Sequence, residues 1–257
     1  MKVQTWLFTI VSLLGCASSA YGADNKSVEY QDPWINGVPS EPGEAWSMAY
    51  GGRLYDQWAV TQGKTLPDTT HPSYPAVGKA KGWATWRCKE CHGWDYKGVA
   101  GAYASGSSFT GIKGIRAYAG ASPQKIAEII RNPTHRYTPE MIPDTALKHL
   151  ALFVSKGQID TDRILDGKTK KILKGNVQRG RDVFQNLCAI CHGFDGRSQN
   201  LAASPPAYVG TIANQKPAEL LHKVRNGFPG MPMPSNIWWD EQTLADVAAY
   251  AQTLPEK

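Results

Sequence analysis

At 257 residues the chain has room for one large or two small domains, and 42% hydrophobic residues with no long low-complexity tract exclude a disordered protein. The net charge of +6 comes from basic residues spread over both halves without interleaved aromatics, which excludes nucleic acid as a partner. Gly 25 and Pro 17 point to extensive loop.

Residues 1–23 read as a secretory signal: Lys2, an apolar run from Trp6 to Leu14, then small residues through Ala23. Cleavage is expected after Ala20, Gly22 or Ala23. The apolar run is shorter than the roughly 20 residues that cross a bilayer, and nothing later resembles a span. A mature periplasmic protein without a transmembrane span is therefore expected. Leu13-Leu14-Gly15-Cys16 loosely resembles a bacterial lipoprotein signal, so a lipid anchor at Cys16 is the alternative, although Leu14 fits it poorly.

Residues 24–158 form the first predicted domain, 159–176 a linker and 177–257 the second. In the first, a stretch rich in Pro67, Pro72, Pro75 and glycine precedes Arg87-Cys88-Lys89-Glu90-Cys91-His92-Gly93 and is expected to be an ordered cover or loop. Residues 122–132 then read as a helix with proline near its start, and Leu147, Leu150, Ala151 and Val154 lie at helical spacing. The linker carries the basic cluster Lys168, Lys170, Lys171 and Lys174, expected as a solvated face. In the second domain Cys188-Ala189-Ile190-Cys191-His192-Gly193 repeats the motif 100 residues later. Residues 216–226 repeat the proline-led helix ending in Arg-Asn, and Leu244, Val247, Ala248 and Ala251 repeat the closing stripe.

Two cysteines separated by two residues, with histidine next, form the attachment pattern of c-type haem. Each thiol adds to one porphyrin vinyl group, one helical turn presents both sulfurs to one edge, and the histidine falls beneath the iron. A redox disulfide does not need the histidine. A zinc site would pool the two cysteine pairs, which lie in separate repeated units. Two covalently bound haem c groups are thus expected, on Cys88 and Cys91 and on Cys188 and Cys191, with His92 and His192 as proximal ligands. Four added propionate charges would offset much of the basic excess. Trp94 and the Trp238-Trp239 pair are candidates for lining haem edges.

On these motifs the chain resembles the class I cytochrome c family in two fused copies. The resemblance implies an all-α fold, two tandem class I cytochrome c-like domains each wrapped round one haem, with the first helix crossing the last. Gly180-Arg181-Asp182-Val183-Phe184 looks like the first helix of the second copy, with Gly180 at the close approach and Phe184 meeting Tyr250. Tyr50 to Trp58 looks similar in the first copy, with a short lead-in at Trp83–Trp86 as the alternative.

Electron-transfer cytochromes commonly place a methionine sulfur on the sixth iron position. Met141, ten residues beyond Arg131 and before the closing helix, is the expected ligand of the first iron, with His135 as a bis-histidine alternative. In Gly-Phe-Pro-Gly-Met-Pro-Met-Pro the spacing and the family form favour Met233 over Met231. Met48 is expected in the core, and His71, His149 and His222 on the surface or on helix faces. In the family a proline carbonyl accepts from the proximal histidine. Ser204-Pro205-Pro206 offers one to His192, whereas Ser107-Ser108-Phe109-Thr110 has none, so His92 is expected to be held differently.

The leading functional expectation is a non-enzymatic carrier of single electrons between a redox donor and acceptor, or the electron-accepting subunit of a dehydrogenase or reductase complex. The rival is a dihaem enzyme of the peroxidase or thiosulfate-oxidising type. Peroxidase chemistry needs an open iron, and the sulfur chemistry needs a free cysteine, which the mature chain would lack.

Overall fold

The computed structural model describes residues 37–257. The expected signal at 1–23 and Cys16 lie outside the described residues. Those described are helical, with no strand and only isolated bridges at Gly98–Lys113 and Leu165–Ile172.

In chain order, α1 is Glu44–Thr61, α2 Cys88–His92, α3 Pro123–Arg131 and α4 Asp144–Leu152, which runs on into a π-helical turn, Phe153–Gly157. Next come α5 Thr161–Ile164 and α6 Val177–Val183, which continues through a second π-helical turn, Phe184–Cys188, into α7 Ala189–His192. The last three are α8 Val209–Gln215, α9 Pro217–Asn226 and α10 Glu241–Ala251. Proline opens both α3 and α9, where its missing N–H costs no helical hydrogen bond. Asn176 caps α6 through Arg179 N–H, and Asp240 caps α10 through Thr243 N–H.

Two helix crossings repeat one geometry. Helix α1 lies across α4, and a Cβ on Gly51 would overlap the carbonyl oxygen of His149. Helix α6 lies across α10, and a Cβ on Gly180 would overlap the carbonyl oxygen of Asp246. Four residues beyond each glycine an aromatic ring meets a ring of the crossing segment. Tyr55 lies 5.5 Å from Phe153, and Phe184 lies 5.4 Å from Tyr250. Both candidates for the first lead-in exist: α1 spans Tyr50 to Trp58, and a 3₁₀ turn covers Gly82–Trp86. It is α1 that makes the crossing.

The two motif-bearing segments share one core. Leu54, Trp58, Phe153, Ile164, Phe184, Leu221 and Val247 belong to a single buried cluster. Helix α1 packs on α9 as well as α4, with Gly52 against Asn226, and Val60 meets Gly230 in the loop beyond α9. Segment 159–176 joins this core through buried Ile159, Thr161 and Ile164, while its four lysines are exposed. His149 is buried against Trp46 and Tyr50 at 5.6 and 5.5 Å. His222 is likewise buried on the inner face of α9, whereas His71, in no helix, departs from the expected surface position and is buried; each makes specific hydrogen bonds described below.

Gly51→Ala and Gly180→Ala are each expected to lower unfolding stability by at least ~2 kcal/mol, since the new methyl must push two backbones apart. Gly167→Ala, whose Cβ would meet nothing, is the control. Chemical denaturation of the three variants checks this.

Candidate functional site

The two Cys-x-x-Cys-His-Gly segments adopt the same turn. Cys88 and Cys91, like Cys188 and Cys191, stand three residues apart and so share a helical face. Gly93 and Gly193 follow at φ 80° and 76°, in the left-handed region that glycine tolerates. Gly93 N–H donates to Lys89 O at 3.0 Å and Gly193 N–H to Ala189 O at 2.9 Å. Gly98 N–H then closes back on His92 O, and Ser198 N–H on His192 O, both at 2.9 Å. Asp95 and Asp195 brace the two loops by accepting from Lys97 N–H and Arg197 N–H.

Helix α1 grips the first turn from one side. Trp58 Nε1–H and Tyr137 O–H both donate to Trp86 O, at 2.9 and 2.7 Å. Arg87 Nε–H donates to Asp56 O at 2.8 Å, and Tyr55 O–H to Gly93 O at 2.7 Å. The second turn needs no such grip, because it continues directly from α6.

None of the four cysteines is in a disulfide. Among the described residues no three His, Cys, Asp or Glu side chains converge on a metal-sized point. Burial pushes the Cys88 and Cys91 thiols up to about 12 and Cys188 up to about 11. Redox-active thiols are instead held low by positive surroundings. The arrangement therefore favours neither zinc nor disulfide exchange.

The histidines reverse one expectation. His92 Nδ1–H donates to the Lys113 carbonyl at 2.6 Å, whereas His192 Nδ1 is buried and has no partner among the described residues. The Pro205 and Pro206 carbonyls do not serve His192. The Lys113 carbonyl is presented because residues 96–99 pair closely with 112–115: Val99 N–H donates to Ile112 O and Ile115 N–H to Tyr96 O. Gly98 and Gly114 permit that approach, since a Cβ on either would overlap the facing backbone. A carbonyl on the far ring nitrogen orients a metal-bound imidazole and strengthens it as a ligand.

Beside the second turn an apolar cleft of about 470 Å³ is lined by Val183, Leu187, Trp238, Trp239, Asp240 and Thr243. Leu187 and Trp238 of that lining expose large apolar side chains, as do Ile190 within the second turn and Phe194 just after it. Met141 and Met233 pack against the buried cluster; among the described residues Met231 does not. Arg53 and Arg225 each bury an Nε without a partner. Paired thiols on one edge, a histidine behind them and an apolar cleft beside the second turn suit a flat, apolar macrocycle, and the two partnerless Nε groups are donors that its acidic arms could use. Trp94, by contrast, is buried between the Lys89 and Lys223 ammonium groups and against His222, as ordinary packing.

Residues 175–250 match the family model described as cytochrome C oxidase, cbb3-type, subunit III. Over 82 residues the chain is 33% identical to a cytochrome c-553-like protein of Synechocystis sp., covering 32% of this chain and 72% of that protein. The chain belongs to the cytochrome c family. It is also 24% identical over 173 residues to the cytochrome bc1 complex cytochrome c subunits of Mycobacterium bovis and Mycobacterium tuberculosis. That match covers 66% of this chain and 60% of theirs, so the chain spans less than two thirds of the mycobacterial relatives' length. A c-type cytochrome holds its haem covalently and transfers electrons. Among the described residues no helix is long and apolar enough to cross a membrane.

Residues that sequence reasoning passed over join the two halves of this cytochrome. Asp56 on α1 is buried and paired with both Arg87 and Lys223, the latter at 2.7 Å. Burial alone would raise its carboxyl, but Lys223 and Arg87 outweigh that and hold it well below the usual range. Alongside, His222 donates Nε2–H to Gly52 O at 3.0 Å and accepts from Tyr96 O–H on Nδ1 at 2.7 Å. Accepting on Nδ1 while donating from Nε2 fixes the neutral Nε2–H tautomer, and burial pushes His222 down to about 4.

Two outcomes follow from these charges. Asp56→Ala takes the nearest carboxylate from two largely buried cations, leaving Lys223 only Glu219 at 3.9 Å, and is expected to cost about 3–5 kcal/mol by denaturant unfolding. The unfolded chain protonates His222 near its ordinary value of about 6.5, before the native state does. Stability is therefore full above that pH and is lost as the pH falls toward 4, by up to roughly 3 kcal/mol. Unfolding curves across that window should show the loss, and His222→Gln should reduce it.

Proposed function

We propose that the chain is an exported, periplasmic dihaem cytochrome c that carries single electrons between a donor and an acceptor protein without chemistry of its own on a substrate. The equivalence of the two Cys-x-x-Cys-His-Gly turns, down to their matching 2.9 Å closures, carries this reading. In it, residues 24–158 and 177–257 are two class I cytochrome c-like units, each with its own glycine crossing, joined by 159–176. Cys88 and Cys91 hold one haem and Cys188 and Cys191 the other; each haem supplies an iron that changes valence by one electron.

The residues of the chain do the rest. His92 and His192 would provide the proximal nitrogens, and Met233, which packs against the core, would supply the sixth ligand of the second iron. Trp238 and Trp239, which line the cleft beside the second turn, would flank the second haem's edge, and the buried Nε groups of Arg53 and Arg225 would be available to propionates. Closed coordination keeps substrates from the metal. The similarity to bc1 complex cytochrome c subunits supports a place among membrane redox complexes, as donor, acceptor or electron-accepting subunit.

Mass spectrometry of the mature polypeptide should show two covalent haem additions, abolished one at a time by Cys88→Ala/Cys91→Ala and Cys188→Ala/Cys191→Ala. A mature chain carrying one haem or none would refute the reading.

A further inference from the structure

We propose that the iron on His92 is held between two histidines, His92 and His135, and not by Met141, and that segment 62–81 is the scaffold that sets His135 in place. The inference rests on the dihaem reading above.

The centres of the His92 and His135 rings lie 6.1 Å apart, with planes inclined by 31°. That is too wide for stacked contact, in which atoms approach to about 3.5–4 Å. It is the spacing that one shared ion would impose. A metal–imidazole bond is about 2 Å and the nitrogen lies ~1.1 Å from its ring centre, so two such ligands on opposite sides put the centres about 6 Å apart.

Each ring also has its other nitrogen engaged, as ligating histidines do. His92 Nδ1–H donates to Lys113 O at 2.6 Å. His135 Nδ1–H faces Asn132 Oδ1 at 3.3 Å, an oxygen whose orientation is fixed by accepting from Thr134 N–H and His135 N–H. Both tautomers leave Nε2 with its lone pair free for a metal.

The scaffold is built from residues with no counterpart in 177–257. His71 Nδ1 accepts from Ser73 N–H at 3.1 Å, which makes its Nε2–H the donor to His135 O at 2.8 Å. Ser73 O–H donates to Thr134 O at 2.6 Å. The His71 ring packs 4.4 Å from Trp86, two residues before the motif-bearing turn at Cys88, and 5.9 Å from Tyr137. His71 thus connects the start of the first haem turn to the backbone that carries His135. Met141 is fastened through its carbonyl, which accepts from Gln62 and Lys64, while its side chain fills space at the core edge. The corresponding loop of the second half, Gly227–Ser235, contains methionines and no histidine.

A methionine ligand raises a haem's potential relative to histidine. The His92 iron would therefore sit below the His192 iron, and electrons would fall from the first to the second.

The test uses the full haem-loaded protein. A chain without haem on Cys88 and Cys91 overturns this inference together with the dihaem reading; with that haem present, ligation spectra decide the inference alone. Low-temperature electron paramagnetic resonance and near-infrared magnetic circular dichroism of the oxidised protein should show one bis-histidine and one histidine–methionine iron. Two histidine–methionine irons overturn it. His135→Ala should turn one haem high-spin, with added imidazole restoring the bis-histidine signal, and Met141→Leu should leave both spectra and both midpoint potentials unchanged. An unaltered His135→Ala spectrum, or a high-spin haem in Met141→Leu, overturns it. His71→Ala should make part of the same haem high-spin and His71→Gln should restore it; an untouched His71→Ala spectrum removes the scaffold. If His135→Ala does not fold, the wild-type spectra and Met141→Leu still decide the outcome.

Discussion

Backbone lying on backbone is the constraint from which this architecture follows. At Gly51 and at Gly180 one helix rests on a carbonyl of another with no side chain between them. Such an approach fixes the crossing point to within a fraction of a residue, because any Cβ would forbid it. The aromatic pairs one turn beyond, Tyr55 with Phe153 and Phe184 with Tyr250, then set the rotation of each helix. Once α1 and α6 are so placed, each Cys-x-x-Cys-His turn has one available position. The first is held by Trp58, Asp56 and Tyr55, and the second continues from α6 through the π-helical turn.

The two turns differ in what surrounds them. The first is wrapped by α1, by the paired 96–99 and 112–115 segments, and by the 62–81 cover. The second leaves Ile190, Phe194 and Trp238 exposed. One histidine is braced by a carbonyl and the other is not. In the dihaem reading the same attachment chemistry would sit in two settings, one crowded and hydrogen-bonded, the other open and apolar. This asymmetry is what a carrier with distinct entry and exit sides would need.

Much of this was legible in the sequence because local patterns carried it. The motifs, the proline-led helices and the closing stripes each depend on residues within about a dozen positions of one another. Gly180 and Phe184 could be placed because a glycine and an aromatic one turn apart are what a tight crossing requires. What remained hidden depended on distant contacts. Nothing near His222 in sequence announces that it is buried against Gly52 and Tyr96, and nothing near Lys113 marks its carbonyl as the one that reaches His92. The expected proline carbonyl for His192 is not the one the fold presents, because a backbone acceptor can come from any residue and its identity leaves no trace in composition. Segment 62–81 was read as a cover, but its use depends on which loop lies beneath it. The linker was read from its lysines, which are indeed exposed, while Ile159 and Ile164 beside them entered the core.

Helix α1 belongs to both halves at once: it crosses α4, buries Asp56 against Lys223 of α9, and lies under Gly230. In the dihaem reading this makes the gap between the two irons a rigid property of one folded body rather than an average over tumbling modules. The tunnelling rate between the centres is then fixed when the chain folds, and viscosity or crowding would slow docking with partners without touching the hop inside.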